Sequence, residues 1–267
     1  MVSCTKSQIG TRTEHLTLVA ADSPDTKVMV DGTTGAISWL ENVDNIAVYI
    51  TGTGAGYYKT LTVGAGGSVD LTLQQGQSRN YYAIFPAASA VSSYYGNTTL
   101  YVNYPSSYNL SGLTLEQIAN YCPYPMVAAN DGSDLIAFYQ VGGVLRLTIG
   151  NVPVDTQNFY LTFTGKTITG NVNVTNGGTQ YTTTNNLGTS NSTLTYTIAS
   201  TSIGGDSPQI VTLNIPLPQG DYSSLSSITI NARDNSNNSL KSLTYTLPSR
   251  WTTVTRAQGR KISVAFN

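Results

Sequence analysis

The sequence predicts an all-β protein, built as two tandem antiparallel β-sandwiches with one short helix in the first. Three observations point there. Segments of strand length, alternating apolar and polar residues, recur roughly every 10–14 residues with turn signals between them. Eighteen tyrosines and abundant Thr supply strand formers, while 25 glycines and many Asn residues supply turns. Charged residues make up only 10% of the chain, and one stretch alone carries a capped helical spacing. At 267 residues the chain is long enough for two ordinary β-domains. A net charge of −1 argues against a nucleic-acid partner, which needs a basic face. No run of about 20 apolar residues is present to cross a membrane as a helix.

Residues 1–13 read as a polar, linker-like start. Met1-Val2-Ser3-Cys4 looks like the end of a bacterial lipoprotein signal, which makes Cys4 the lipidation candidate. The only other cysteine is Cys122, so no disulfide framework is expected. The first strand, residues 14–21, places Leu16, Leu18 and Ala20 on one face because side chains alternate along a strand. Asp22-Ser23-Pro24-Asp25 breaks it, residues 27–30 form a second short strand, and residues 36–40 lead through Trp39. Residues 45–51 alternate Ile46, Val48 and Ile50. Residues 57–63 and 68–73 flank Gly64-Ala65-Gly66-Gly67 and read as a hairpin. Strands at 80–86 and 98–104 follow.

Thr114-Leu115-Glu116-Gln117 has the capping-box pattern of a helix start. That helix runs two turns or so before Pro123 and Pro125 end it. Residues 135–149 are the most apolar run, broken into two strands at Gly142-Gly143. Gly150-Asn151-Val152-Pro153 reads as the domain boundary, dividing residues 14–150 from 151–267. Beyond it, strands are expected near 159–164, 167–174, 180–184, 193–199, 209–217, 226–233 and 241–247. Asn176-Gly177-Gly178 marks a hairpin turn. The chain closes on residues 259–267, where Ile262, Val264 and Phe266 share one face. A last strand can pair in its own sheet or complete the sheet of another molecule.

Catalytic chemistry has few candidates. His15 is the only histidine, and no G-x-S-x-G serine accompanies it. Three glutamates, Glu14, Glu41 and Glu116, offer no obvious acid-base pair. No phosphate loop and no Cys/His cluster for zinc is present. The chain is therefore expected to be no enzyme and to hold no cofactor or metal. The pairs Tyr57-Tyr58, Tyr81-Tyr82 and Tyr94-Tyr95 put one ring of each pair outward, where it could stack on a sugar. A surface glycan-binding lipoprotein is thus the alternative reading, set against tyrosines that merely shield a sheet.

Several stretches together resemble the fimbrillin family, the two-domain subunits of type V pili from anaerobic Gram-negative bacteria. They are Cys4 with the polar linker after it; the strand at 15–21; Ile37-Ser38-Trp39 leading into Asn45-Ile46-Ala47-Val48-Tyr49; Asn80-Tyr81-Tyr82-Ala83-Ile84-Phe85-Pro86-Ala87; and Pro125-Met126-Val127-Ala128 before residues 138–149. In the second half they are Ile168-Thr169-Gly170, then Ile215-Pro216-Leu217-Pro218 with Gly220-Asp221-Tyr222, and residues 260–266 at the end. Each is a β-strand pattern, and their order and spacing over the whole chain carry the likeness.

The resemblance implies two transthyretin-like sandwiches and export as a lipoprotein to the outer membrane and cell surface. It implies a structural pilus (fimbrium) subunit that supports adhesion. In many members a protease removes the first strand and the C-terminal strand of the next subunit fills the groove. Carried onto this chain, Leu16, Leu18 and Ala20 are the displaced set, and Ile262, Val264 and Phe266 in residues 260–267 are the donor set. Lys27 is the cleavage candidate, where Arg would be usual. Partners would be other pilus subunits, the processing protease, and a host glycan or protein receptor. Shaft, anchor and accessory roles all remain open. On this reading, loss of residues 260–267 abolishes filaments and leaves a folded monomer.

Overall fold

The computed structural model describes residues 10–20, 39, 41–42, 44–50, 57–74, 81–91, 99–121, 123–129, 132–176, 181–185, 191–198, 203, 209–248 and 251–267. The first strands are β1 (Thr11–Ala20), β2 (Asn45–Ile50), β3 (Tyr57–Thr62), β4 (Ser68–Gln74) and β5 (Tyr81–Phe85). Then come β6 (Thr99–Tyr104), β7 (Ser107–Leu110), the helix α1 (Leu115–Asn120), β8 (Met126–Ala129), β9 (Leu135–Gln140) and β10 (Gly143–Val152). The second half holds β11 (Asn158–Thr164), β12 (Gly170–Asn176), β13 (Tyr181–Asn185), β14 (Ser192–Ile198) and β15 (Gln209–Leu217). It ends with β16 (Gly220–Asp221), β17 (Ser227–Arg233), β18 (Ser239–Thr246), β19 (Thr253–Val254) and β20 (Gly259–Ala265). The fold is all-β with one short helix among the described residues.

The strands form layered sheets. A seven-stranded sheet has the order β3-β2-β5-β8-β9-β1-β4. One of its faces closes over a core that includes Leu16, Leu18, Val48, Leu71, Phe85 and Phe138. Its other face packs Ala47, Ile84 and Val127 against Val102, Val172 and Val174 of the sheet β13-β12-β6. The C-terminal core lies between β15-β10-β20 and β18-β17-β11-β14-β7, with alternate residues such as Phe159, Leu161 and Phe163 turned inward. Such paired sheets bury the apolar face of each strand while the polar Thr and Ser face outward.

The halves of the chain are interlaced. β6 pairs with β12, and β7 pairs with β14. β10 supplies Leu145, Leu147 and Ile149 to the C-terminal core, and α1 adds Ile118. That core therefore draws on residues on both sides of the Gly150–Pro153 stretch read as the boundary. Most pairings are antiparallel, as expected; β1 with β9, β10 with β20, and β14 with β7 are parallel.

Two sequence readings change. β1 starts at Thr11, so residues 11–13, read as linker, already pair with β4. The polar start tolerates a strand because Arg12 Nε donates to Glu14 Oε1 at 3.0 Å. The hairpin expected across Gly64–Gly67 is reduced to one antiparallel bridge, Gly64 with Ser68, because the ladder of β3 is with β2 and that of β4 is with β1. Gly66 and Gly67 both take positive φ, 67° and 72°, in a tight turn that lets the two strands part. The helix behaves as read, with Gln117 N donating to Thr114 Oγ1 and Thr114 N donating to Gln117 Oε1.

Candidate functional site

β1 is an inner strand. It pairs antiparallel with β4 from Thr11↔Gln74 to Thr17↔Ser68, and parallel with β9 from Thr17↔Leu135 to Ala20↔Phe138. Its core-facing side chains are Glu14, Leu16 and Leu18, at 6%, 0% and 3% exposure. Across β4 these meet Leu71 and Val69. Ala20 belongs to the strand by its backbone; its side chain lies outside the described residues. On the outward face, His15 Nδ1 and Asp70 Oδ1 share a hydrogen bond of 2.8 Å, with both side chains well exposed.

Where β4 stops, Trp39 takes over the edge of β1. Its Nε1 donates to the Leu18 carbonyl at 3.2 Å, and its ring meets Phe85 and Phe138 edge-on at 5.1 and 5.4 Å. Gly67 makes this possible: a Cβ there would stand 2.7 Å from Trp39 Cδ1. Among the described residues β4 has β1 as its only strand partner, yet other bonds hold it. Lys59 Nζ on β3 donates to the Thr72 carbonyl at 2.9 Å, and Gly64 bridges to Ser68. The walls of the β1 slot are thus tied together without β1.

β20 is an edge strand of its sheet and pairs in parallel with β10 alone among the described residues. Ile262 and Phe266 are buried at 5% and 2% exposure, and Val264 packs partly against the same core. The end of the chain is pinned. Phe266 N donates to the Gly150 carbonyl at 3.1 Å, Asn151 Nδ2 donates to the Phe266 carbonyl at 3.0 Å, and Lys241 Nζ donates to the Asn267 carbonyl at 2.8 Å. Asn151 sits at φ 53°, a conformation Asn tolerates better than most residues.

Cys4, Lys27 and Cys122 lie outside the described residues, as do Tyr94 and Tyr95. Tyr81 is buried at 2% exposure, and Tyr82 is half-buried against the core behind the seven-stranded sheet, so neither offers a bare ring face. Among the described residues no three His, Cys, Asp or Glu side chains come together as metal ligands. The buried ammonium of Lys166 lies 4.9 Å over the Tyr222 ring; burial pushes its pKa down and the Asp221 carboxylate pulls it back up. Glu14, Trp39 and Asn151 had no assigned part in the sequence reading. Glu14 was legible, since it has the same parity as Leu16 and Leu18; the two carbonyl contacts were not.

No protein-family model and no curated protein sequence matches the chain. Among solved structures it is similar to a proposed cell adhesion protein from Bacteroides ovatus, at 12% identity and TM-score 0.49, over 97% of this chain and 92% of that one. It is similar to another from Bacteroides uniformis, at 11% identity and TM-score 0.47, over 95% and 92%. It is also similar to the fimbrial anchor protein Mfa2 from Porphyromonas gingivalis, at 9% identity and TM-score 0.37, over 96% and 91%.

Proposed function

We propose that this chain is a structural subunit of a cell-surface pilus that polymerises by strand exchange and supports adhesion. The observation that carries the reading is the placement of the two end strands. β1 fills an apolar slot between β4 and β9, and β20 is an edge strand with one neighbour among the described residues. Loss of β1 would uncover Val69, Leu71, Ile136 and Phe138 in mid-sheet, and an incoming strand would regain both ladders. β4 flanks residues 11–17 and β9 flanks residues 17–20, so an occupant is laddered along its whole length, and each backbone hydrogen bond adds roughly 0.5–1.5 kcal/mol net.

In this reading Cys4 carries the lipid that brings the subunit to the outer surface, and a protease cuts at Lys27 to free β1. After the cut, residues 28–150 supply the acceptor slot and residues 260–267 of domain 151–267 supply the donor strand. Its partners are further pilus subunits and the processing protease, with any host receptor met by the assembled filament. No catalytic role is part of the proposal.

The test is immunogold electron microscopy of the native cell surface, joined to N-terminal sequencing of the chain in sheared filaments. Label along filaments, with the polymerised chain beginning at Val28, is the expected result. Label confined to the membrane, or filaments whose subunits keep β1, overturns the reading.

A further inference from the structure

Strand exchange in its simplest form swaps one set of apolar side chains for another, so small differences between the two strands decide which occupant wins. The inward positions of β1 are 14, 16 and 18, filled by Glu14, Leu16 and Leu18, with Arg12 two residues earlier. The inward positions of β20 are filled by Ile262, Val264 and Phe266, with Arg260 two residues earlier. Both strands run parallel to one neighbour, β1 to β9 and β20 to β10. In both, the carbonyl of the third inward residue accepts a side-chain N–H: Leu18 from Trp39 at 3.2 Å, and Phe266 from Asn151 at 3.0 Å.

Resting on the strand-exchange reading, we propose a register and a specificity-determining residue for the slot. The partner is the terminal strand of a second copy of this chain. It enters in the direction of β1, with Ile262 at the place of Glu14, Val264 at that of Leu16 and Phe266 at that of Leu18. Glu14 is the residue that makes the first strand the weaker occupant. A register shifted by two residues, with Ile262 at Leu16, would drive Arg260 into the buried place of Glu14.

The argument for Glu14 is electrostatic. Its carboxylate is buried on the core face opposite Leu71 and held by Arg12, whose own side chain is 55% exposed. Burying an ion costs desolvation that pairing commonly repays only in part, and an apolar residue of similar volume is often neutral or better. Ile262 removes that cost. The Trp39 N–H reads a backbone carbonyl and not a side chain, so it serves either occupant. As Phe266 leaves Asn151 it regains a donor at the place of Leu18. His15 gives way to Ser263 opposite Asp70, on the exposed face where the exchange is mild.

A trapping experiment tests this. The full chain, with Cys4 and Cys122 replaced by Ser and a thrombin site in place of residues 23–28, is nicked after folding. A peptide of residues 259–267 with Ser263→Cys is added under mild oxidation to chains carrying Asp70→Cys or Ser68→Cys. Disulfide capture at position 70 is the expected result, since residue 15 faces residue 70. Capture at 68 instead overturns the register and leaves strand exchange standing. Capture at neither overturns strand exchange itself.

Glu14→Leu in the same nicked chain should slow capture about tenfold and raise the melting temperature, because replacing a buried ion pair by an apolar residue commonly stabilises the strand bearing it. Capture as fast as in the parent overturns the role of Glu14. Glu14→Gln, which keeps the shape and removes the charge, should fall between the two; a Gln variant that matches the parent while Leu differs overturns the electrostatic cause.

Discussion

At the scale of single residues, two buried tyrosines on either side of the interlaced halves make a controlled pair. Tyr104, on β6, is buried at 2% exposure, and its hydroxyl has no hydrogen-bond partner. The turn at Gly142 presses on it: a Cβ there would stand 2.6 Å from the Tyr104 oxygen and 2.1 Å from the Leu217 carbonyl. Tyr222 is equally buried, but its hydroxyl donates to the Pro218 carbonyl at 2.9 Å. Burial pushes both phenols up, so both stay neutral through the physiological range. A buried hydroxyl without a partner contributes only its desolvation cost, whereas a bonded one adds about 1 kcal/mol net. Tyr104→Phe should therefore leave stability unchanged or raise it, and Tyr222→Phe should lower it by about 1 kcal/mol or more, as the Pro218 carbonyl loses its donor. Urea unfolding midpoints at constant slope measure both. Equal losses would mean that the Tyr104 hydroxyl has a partner after all.

At the scale of elements, α1 shows how a short helix is kept. Six residues are far below the length at which a helix holds in water. Its start is capped locally by Thr114 and Gln117, and its end is capped by the sheet. Arg146 Nη1 donates to the Ala119 carbonyl at 2.7 Å, and Asn214 Nδ2 donates to the Ala119 and Tyr121 carbonyls at 3.1 and 3.0 Å. Asn214 is itself buried on β15, so its loss would take the Asn214 donor from the Tyr121 carbonyl and leave the Ala119 carbonyl to Arg146. Asn214→Leu should cost about 2 kcal/mol, and hydrogen exchange should show the Ile118 amide losing protection before the strands do. An unchanged Ile118 amide would mean the helix stands on its cap alone. The same element marks the limit of sequence reading. The capping box is local and was legible; its partner Asn214 lies about a hundred residues away and was not. Long alternating strands such as β15 and β17 were legible for the same reason, whereas β7, β8, β16 and β19 are too short for alternation to register. The failed hairpin at Gly64–Gly67 had the right turn residues, but the pairing was decided by β1 and β2, which the turn does not encode.

At the scale of the whole molecule, the terminal strand is both part of the C-terminal core and the proposed means of assembly. Sequence alone presents it as dispensable to the monomer. The structure does not: Ile262 and Phe266 are buried with Leu147 and Ile149, and β10 would lose one of its two ladders. Burying two such side chains stabilises by roughly 3–6 kcal/mol, a large part of the roughly 5–15 kcal/mol by which folded domains exceed their unfolded chains. Deleting residues 260–267 should therefore lower the melting temperature sharply, with the loss centred on β10 and β15, while β2, β5 and β8 at the heart of the other sheet keep their amide protection. Adding the peptide of residues 259–267 should restore the lost stability, since the vacated edge of β10 still carries its apolar trough. A deletion chain as stable as the parent would mean that β20 contributes no net stability at home. Donating it would then leave no deficit in the donor, and the balance between slot and edge that gives Glu14 its part would disappear.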